Sequence, residues 1–213
     1  MKFPKLKALG LGLGLFVAVY APAFTVTAFV RPRIELAIAL IIAITLIVAM
    51  LLIYLLAPAR GSFAGFGFRV PSSRYVGLAL ASGLTFGLSA ALLNHLLPSK
   101  PPFDVSGFSP LKIGLYFIVG ASIQEEVIFR GLIQSMVEKQ CGLIFSVRGV
   151  SISGAVVFTA LLFGIIHLEV GAVVALGAVI LGLVAGELRR GSGSLLPAII
   201  VHACFNCVDA VWR

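Results

Sequence analysis

The stretch IELAIALIIAITLIVAMLLIYLLA, residues 34–57, carries one charged side chain, Glu35, at its very edge. A transmembrane α-helix needs about 20 consecutive apolar residues, and this run exceeds that. A water-soluble domain would have to bury such a segment on every face. A bilayer accepts it as it stands.

Working outward, the same grammar repeats. Lys2, Lys5 and Lys7 precede an apolar run from Ala8 to Val30. Ala21-Pro22-Ala23 resembles the small-residue cleavage site of a signal peptide. The run continues past that point to bilayer-spanning length, so an uncleaved first helix is expected, broken at Arg31, Pro32 and Arg33. Beyond the second helix, residues 58–74 are rich in Gly, Pro and Arg and read as an interfacial loop with at most one amphipathic turn. A third helix is expected over Tyr75–Leu97. Its Gly83 and Gly87 form a small-xxx-small pattern for close helix packing, and His95 falls near its interfacial end. A second loop, Pro98–Pro110, holds four prolines and Asp104.

Whole-chain composition agrees. Of 213 residues, 60% are hydrophobic and 11% charged, with mean hydropathy +1.14. Ordinary soluble domains carry about 25% charged residues. This excludes a soluble globular enzyme, a disordered chain and a disulfide scaffold. The net charge of +8 comes from basic residues at the ends of apolar runs, where cytoplasmic loops collect Lys and Arg. No basic cluster with interleaved aromatics is present, so a nucleic-acid partner is not expected. The expected fold is all-α: a polytopic transmembrane bundle of about seven helices, eight if a re-entrant segment is present. It would be an integral protein of a prokaryotic cytoplasmic membrane.

Polarity is not shared evenly. Helix four, about Leu111–Met136, carries Glu125, Glu126 and Arg130; helix five, about Ser151–His167, ends in a histidine. Helix six covers about Gly171–Gly186, with Gly182 and Gly186 spaced for packing and Arg189 and Arg190 closing it. Helix seven, about Leu195–Val211, holds His202, Asn206 and Asp209. The chain therefore divides into N-terminal apolar helices and loops, 1–107, and a functional helical core, 108–213.

A charged residue at membrane depth costs at least ~2.5–3.5 kcal/mol on insertion scales, so these groups need a reason. Glu126 and Arg130 are one turn apart on one helix face and can neutralise each other. Glu125 points about 100° away and has no partner on its own helix, which suits a general base. A staple between helices would not need this second glutamate. His202 and Asn206 also share a face, and could offer two donors to a developing oxyanion or clamp two helices together. With His167, these residues are most simply one buried polar site shared by helices four, five and seven. Two chemistries fit the residue set. Glutamate and two histidines could ligate zinc, although the H-E-x-x-H pattern is absent. Alternatively, Glu125 and His167 could activate water directly.

The spacings match a known pattern. Glu125-Glu-Val-Ile-Phe-Arg130 fits EExxxR, Phe163-Gly-Ile-Ile-His167 fits FxxxH, and His202-Ala-Cys-Phe-Asn206 fits HxxxN. They occur in that order, and Gly191-Ser-Gly-Ser-Leu-Leu-Pro resembles the usual lead-in to the third. Over about residues 108–211 the chain resembles the CPBP family of CAAX proteases, type II CAAX prenyl endopeptidases (Ras-converting enzymes) and bacteriocin-processing proteins. Gly65-Phe-Gly-Phe-Arg69 also looks like the family's short membrane-proximal segment, and equally like aromatics anchoring a loop.

The resemblance implies an intramembrane glutamic endopeptidase acting on a membrane-associated or prenylated protein. Glu125 would activate water with help from His167, His202 and Asn206 would form the oxyanion hole, and Glu126 and Arg130 would support the site. Phe163 would be a packing residue. No metal cofactor is expected, because the third carboxylate wanted by a hydrated zinc site is missing; zinc is the alternative. The rival readings are a bacteriocin-immunity protein, or a membrane transporter or scaffold, for which the chain lacks the internal repeat many transporters show. Cys204-Phe-Asn-Cys207 is formally a CxxC, but on a membrane helix cysteine is more often a small apolar filler.

Two further expectations concern geometry. With the N-terminus in the cytoplasm, Lys2, Lys5, Lys7, Arg60, Arg69, Arg74, Lys139, Arg148, Arg189 and Arg190 fall on the cytoplasmic side. The opposite side receives Arg31, Arg33, Lys100, Lys112 and Arg213, and the bias favours this orientation. His167 ends its helix while His202 lies about 10 Å into another, at roughly 1.5 Å per residue. The two can meet only if a helix is short, tilted or broken, or if Leu168–Val170 is buried.

Overall fold

A computed structural model describes residues 4–30, 33–58, 61–96, 107–147 and 150–212. Expectations about Lys2, Arg31, Pro32, Arg60, most of the Pro98–Pro110 loop, Arg148 and Arg213 lie outside the described residues.

Seven helices carry the described chain. They are α1 (Pro4–Val30), α2 (Ile34–Leu56), α3 (Ser73–Leu96), α4 (110–137), α5 (Gly154–Ile166), α6 (Ala172–Ser192) and α7 (Leu196–Trp212). Four of them, α1, α2, α3 and α6, are long and apolar enough to cross a membrane, which makes the chain an integral membrane protein. Helices α5 and α7 are apolar but shorter. Helix α4 is continuous but irregular: Gly114–Ala121 and Val127–Gln134 are π-helical, with i→i+5 hydrogen bonding. Such stretches recur at functional sites, because they redirect side chains that a regular helix would fix.

Two boundaries differ from expectation. Residues Ser151–Ser153 are strand, not helix: Leu143–Val147 (β1) pairs antiparallel with Val150–Ser153 (β2). This hairpin consists largely of β-branched and aromatic residues, and Leu143, Ile144 and Phe145 are exposed. Helix α5 then starts at Gly154, capped by the Ser153 hydroxyl accepting from the Val156 N–H at 3.2 Å. Helix α6 runs past Gly186 to Ser192, so Arg189 lies inside it and is buried, and Gly193 at φ +68° ends it. The 58–74 loop contains one 3-10 turn, Phe63–Phe66.

Close packing follows the small residues. A Cβ on Gly83 would stand 2.7 Å from the Cys204 Cβ, and one on Gly87 would stand 2.9 Å from the Val208 Cβ, so α3 lies directly against α7. Cys204 and Cys207 are both free thiols, and Cys204 fills the space opposite Gly83. A Cβ on Gly164 would run into Val179, bringing α5 against α6.

Two contacts fix the ends of the bundle. Lys112 Nζ donates to Glu35 Oε2 at 2.8 Å across α4 and α2, on a half-exposed face. At the other end, the 65–69 segment docks onto the turn that starts α7. The Leu195 N–H donates to the Gly67 carbonyl at 2.9 Å, and the Ser194 hydroxyl to the Arg69 carbonyl at 2.5 Å. Arg189 Nη2 donates to the Gly65 carbonyl at 3.3 Å. Gly67 sits at φ +94°, where a Cβ would collide with the Arg189 guanidinium. The GFGFR and GSGSL stretches are thus two halves of one joint.

Candidate functional site

The polar centre lies where α4 meets α7. On α4, Glu126 and Arg130 are both fully buried, and Arg130 Nη1 donates to Glu126 Oε1 at 2.9 Å. The same carboxylate oxygen accepts from His202 Nδ1 of α7, also at 2.9 Å. That bond turns His202 Nε2 the other way, to 3.7 Å from Glu125 Oε2. One buried imidazole therefore bridges the two adjacent glutamates. Glu125 keeps a small exposed fraction, 16% of its side chain, while Glu126 has none. The one-turn spacing of Glu126 and Arg130 makes their pair local. The 100° offset of Glu125 sends it to the other nitrogen of the same histidine.

Phe163 of α5 is the apolar hub. The Arg130 guanidinium lies over its ring, 4.8 Å from the centroid, within cation–π range. Its edge meets His202 at 5.6 Å and His167 at 4.7 Å between centroids. His167 caps the C-terminus of α5, and its Nδ1–H donates to the Phe163 carbonyl at 2.8 Å. This leaves Nε2 as the acceptor nitrogen. The depth problem resolves because α5 is short: 13 residues rise only about 20 Å, at roughly 1.5 Å per residue. The turn Leu168–Val170 is not buried. Among the described residues, His167 reaches the glutamate–histidine cluster through Phe163 and has no direct hydrogen bond to it.

Asn206, one turn beyond His202, anchors its amide on α4. Its Nδ2 donates to the Phe117 carbonyl at 2.8 Å and, more weakly, to the Ser122 hydroxyl at 3.3 Å. Phe117 lies in the first π-helical stretch of α4. Asp209 is half-buried nearer the end of α7, and His95 is exposed near the end of α3. Among the described residues, no group of three or more His, Cys, Asp or Glu side chains is arranged so that it could hold a metal ion.

Several neighbours carried no recognisable signal in the sequence. Tyr20 of α1 is buried against Phe129, 6.1 Å between ring centroids, with its hydroxyl in the electrostatic field of Glu125, Glu126 and Arg130. It lies more than 100 residues before the motifs, in a helix whose other residues are nearly all apolar. Ser122 and Gln124 are buried beside the glutamates on α4.

A helical membrane bundle that buries an Arg–Glu–His–Glu chain, with an aromatic hub and a second histidine beside it, has the makings of an intramembrane hydrolytic centre. Residues 107–208 match the family model described as Type II CAAX prenyl endopeptidase Rce1-like. Over that stretch the chain is similar to an Rce1-like domain, which supports a CPBP-type protease. The family is one of CAAX-type endopeptidases and implies a protease. No curated protein and no solved structure matches the chain.

Proposed function

We propose that this protein is an intramembrane glutamic endopeptidase that cleaves a membrane-associated, CAAX-type protein substrate. The observation that carries the reading is the His202 bridge between Glu126 and Glu125. Two carboxylates and one guanidinium leave a net negative charge in an apolar interior, where an uncompensated charge is costly. Glu126 is held by both Arg130 and His202 Nδ1, which leaves Glu125 set against the other imidazole nitrogen. A carboxylate facing an imidazole is a pairing that general acid–base hydrolysis uses.

In this mechanism Glu125 takes a proton from water as the oxygen attacks the scissile carbonyl. His167 Nε2 accepts a hydrogen bond from the same water and orients it. His202 Nε2–H faces the developing oxyanion while its other nitrogen stays anchored on Glu126. Asn206 keeps its short bond to Phe117 and gives the second amide N–H, engaged at only 3.3 Å by Ser122, to the substrate oxygen. Glu125 then returns its proton to the leaving amine, so bond making and breaking balance with one water consumed. Preorganised donors of this kind are each worth about 10²–10³ in rate. No step of this mechanism is routed through a metal. The test is cleavage of a prenylated CAAX peptide by purified protein in detergent, with Glu125→Gln alongside. Binding or transport without cleavage would favour the transporter or scaffold reading.

A further inference from the structure

The polar residues of α4 do not stop at Arg130. Glu126, Arg130, Gln134 and Glu138 stand four apart, in one row along the helix and just past its end. Each member buries a polar atom without a protein partner: Glu126 Oε2, Arg130 Nε and Nη2, Gln134 Oε1 and Glu138 Oε2. Gln134 is 3% exposed; its Nε2 donates to the Gly186 carbonyl at 3.1 Å, and its amide also hydrogen-bonds the Glu138 carboxylate, which Ser153 engages too, while Gln134 Oε1 is left over.

The facing helix leaves room for this row. A Cβ on Gly182 would stand 2.9 Å from Arg130 Nη2, and one on Gly186 would stand 3.2 Å from Gln134 Oε1. The two glycines of α6 thus match, turn for turn, the two inner polar heads of α4. A clamp between helices would pair its polar atoms, because an orphaned buried one costs far more than a missing apolar contact. Orphans repeated along one row are what hydrated polar channels contain, since a buried water satisfies about three such groups at once. The outer end opens: Glu138 is partly exposed beyond the helix end. Arg189 and Arg190 of α6, Ser153 of β2 and Cys141 face it, with Lys5 of α1 beside Cys141.

We infer that the Glu126–Arg130–Gln134–Glu138 row is the path by which water passes from the aqueous face at Glu138 to the buried catalytic centre. This rests on the hydrolytic reading of that centre, since each turnover there consumes one water. Gln134 is a positioning residue in the neck of the path and touches no reacting atom.

The experiment uses the full-length protein with Cys141, Cys204 and Cys207 replaced by alanine. Gln134→Cys and, as a dry control at a fully buried apolar site, Leu132→Cys are exposed to Ag⁺, a water-soluble ion that thiols ligate tightly. Capture is read as protection from later alkylation in denaturant. The path predicts rapid capture at position 134 and none at position 132. It also predicts that Gln134→Leu lowers kcat about tenfold or more at unchanged KM, whereas Gln134→Asn, which keeps a polar head and leaves room, restores it. Equal inertness of both cysteines, or wild-type kcat in Gln134→Leu, overturns the inference. Should Gln134→Leu fail to fold, silver capture decides alone. Should Glu125→Gln cleave at the wild-type rate, the hydrolytic reading fails while silver capture still reports on the path.

Discussion

Replacing Glu126 by glutamine keeps the shape of the side chain and removes its charge. In the structure, Glu126 Oε1 serves two donors, Arg130 Nη1 and His202 Nδ1, each at 2.9 Å. Both the carboxylate and the guanidinium are fully buried. A glutamine oxygen can still accept hydrogen bonds, but Arg130 is left as an uncompensated cation over the Phe163 ring. Breaking such a buried pair from one side costs about 3–5 kcal/mol in soluble proteins. For a chain of this size, a kilocalorie moves the melting temperature by about 2–4 °C, which puts the expected drop at about 6–20 °C. Glu126→Gln with Arg130→Gln removes both charges, so it should recover part of the loss. Thermal melts of the wild type, both single variants and the double variant in one detergent measure this coupling directly. A Glu126→Gln variant melting within about 2 °C of wild type, or a double variant no better than the worse single, would refute the assignment of Glu126 as the structural counter-ion.

Three further outcomes are expected. Gly182→Ala places a methyl 2.9 Å from both the Ala160 Cα and Arg130 Nη2; separating α5 from α6 should cost roughly 1–3 kcal/mol, visible as a lower melting temperature. Burial raises the Glu138 carboxyl above its usual 4.5. The folded chain therefore keeps that proton to higher pH than the unfolded one, and this group's stabilisation is full below about 4.5 and lost as pH rises through the raised value; Glu138→Gln should flatten that slope in melts across the range. Cleavage should persist after exhaustive chelation, and tight zinc that restored a chelated, inactive sample would establish the metalloprotease alternative with His167 and His202 as ligands.

The membrane class was legible because an unbroken apolar run such as Ile34–Leu56 has few other homes. The site was legible because every charge inside such a chain stands out: Glu125, Glu126, Arg130 and His202 were readable as one cluster, and the structure brings them together. What the sequence hid was direction. The 3.6-residue period shows that His202 and Asn206 share a face, but not that the Asn206 amide turns to a carbonyl exposed in a π-helical stretch of α4, whose i→i+5 pattern leaves no local signature. The hairpin at 143–153 was hidden for a similar reason, since short apolar runs fit helix or strand equally well. Tyr20 was invisible because nothing in one helix records which helix it will face.

The central claim is that Glu125 is the base that activates water. The measurement is the cleavage rate of a prenylated CAAX peptide by purified Glu125→Gln, compared with wild type in the same detergent and checked by melting temperature. Glutamine preserves size and leaves the Glu126–Arg130–His202 contacts in place, so the fold should melt near the wild-type temperature. Turnover should fall by about 10²–10⁴-fold or more, the usual contribution of a positioned general base. A folded Glu125→Gln protein that cleaves at the wild-type rate would contradict the account.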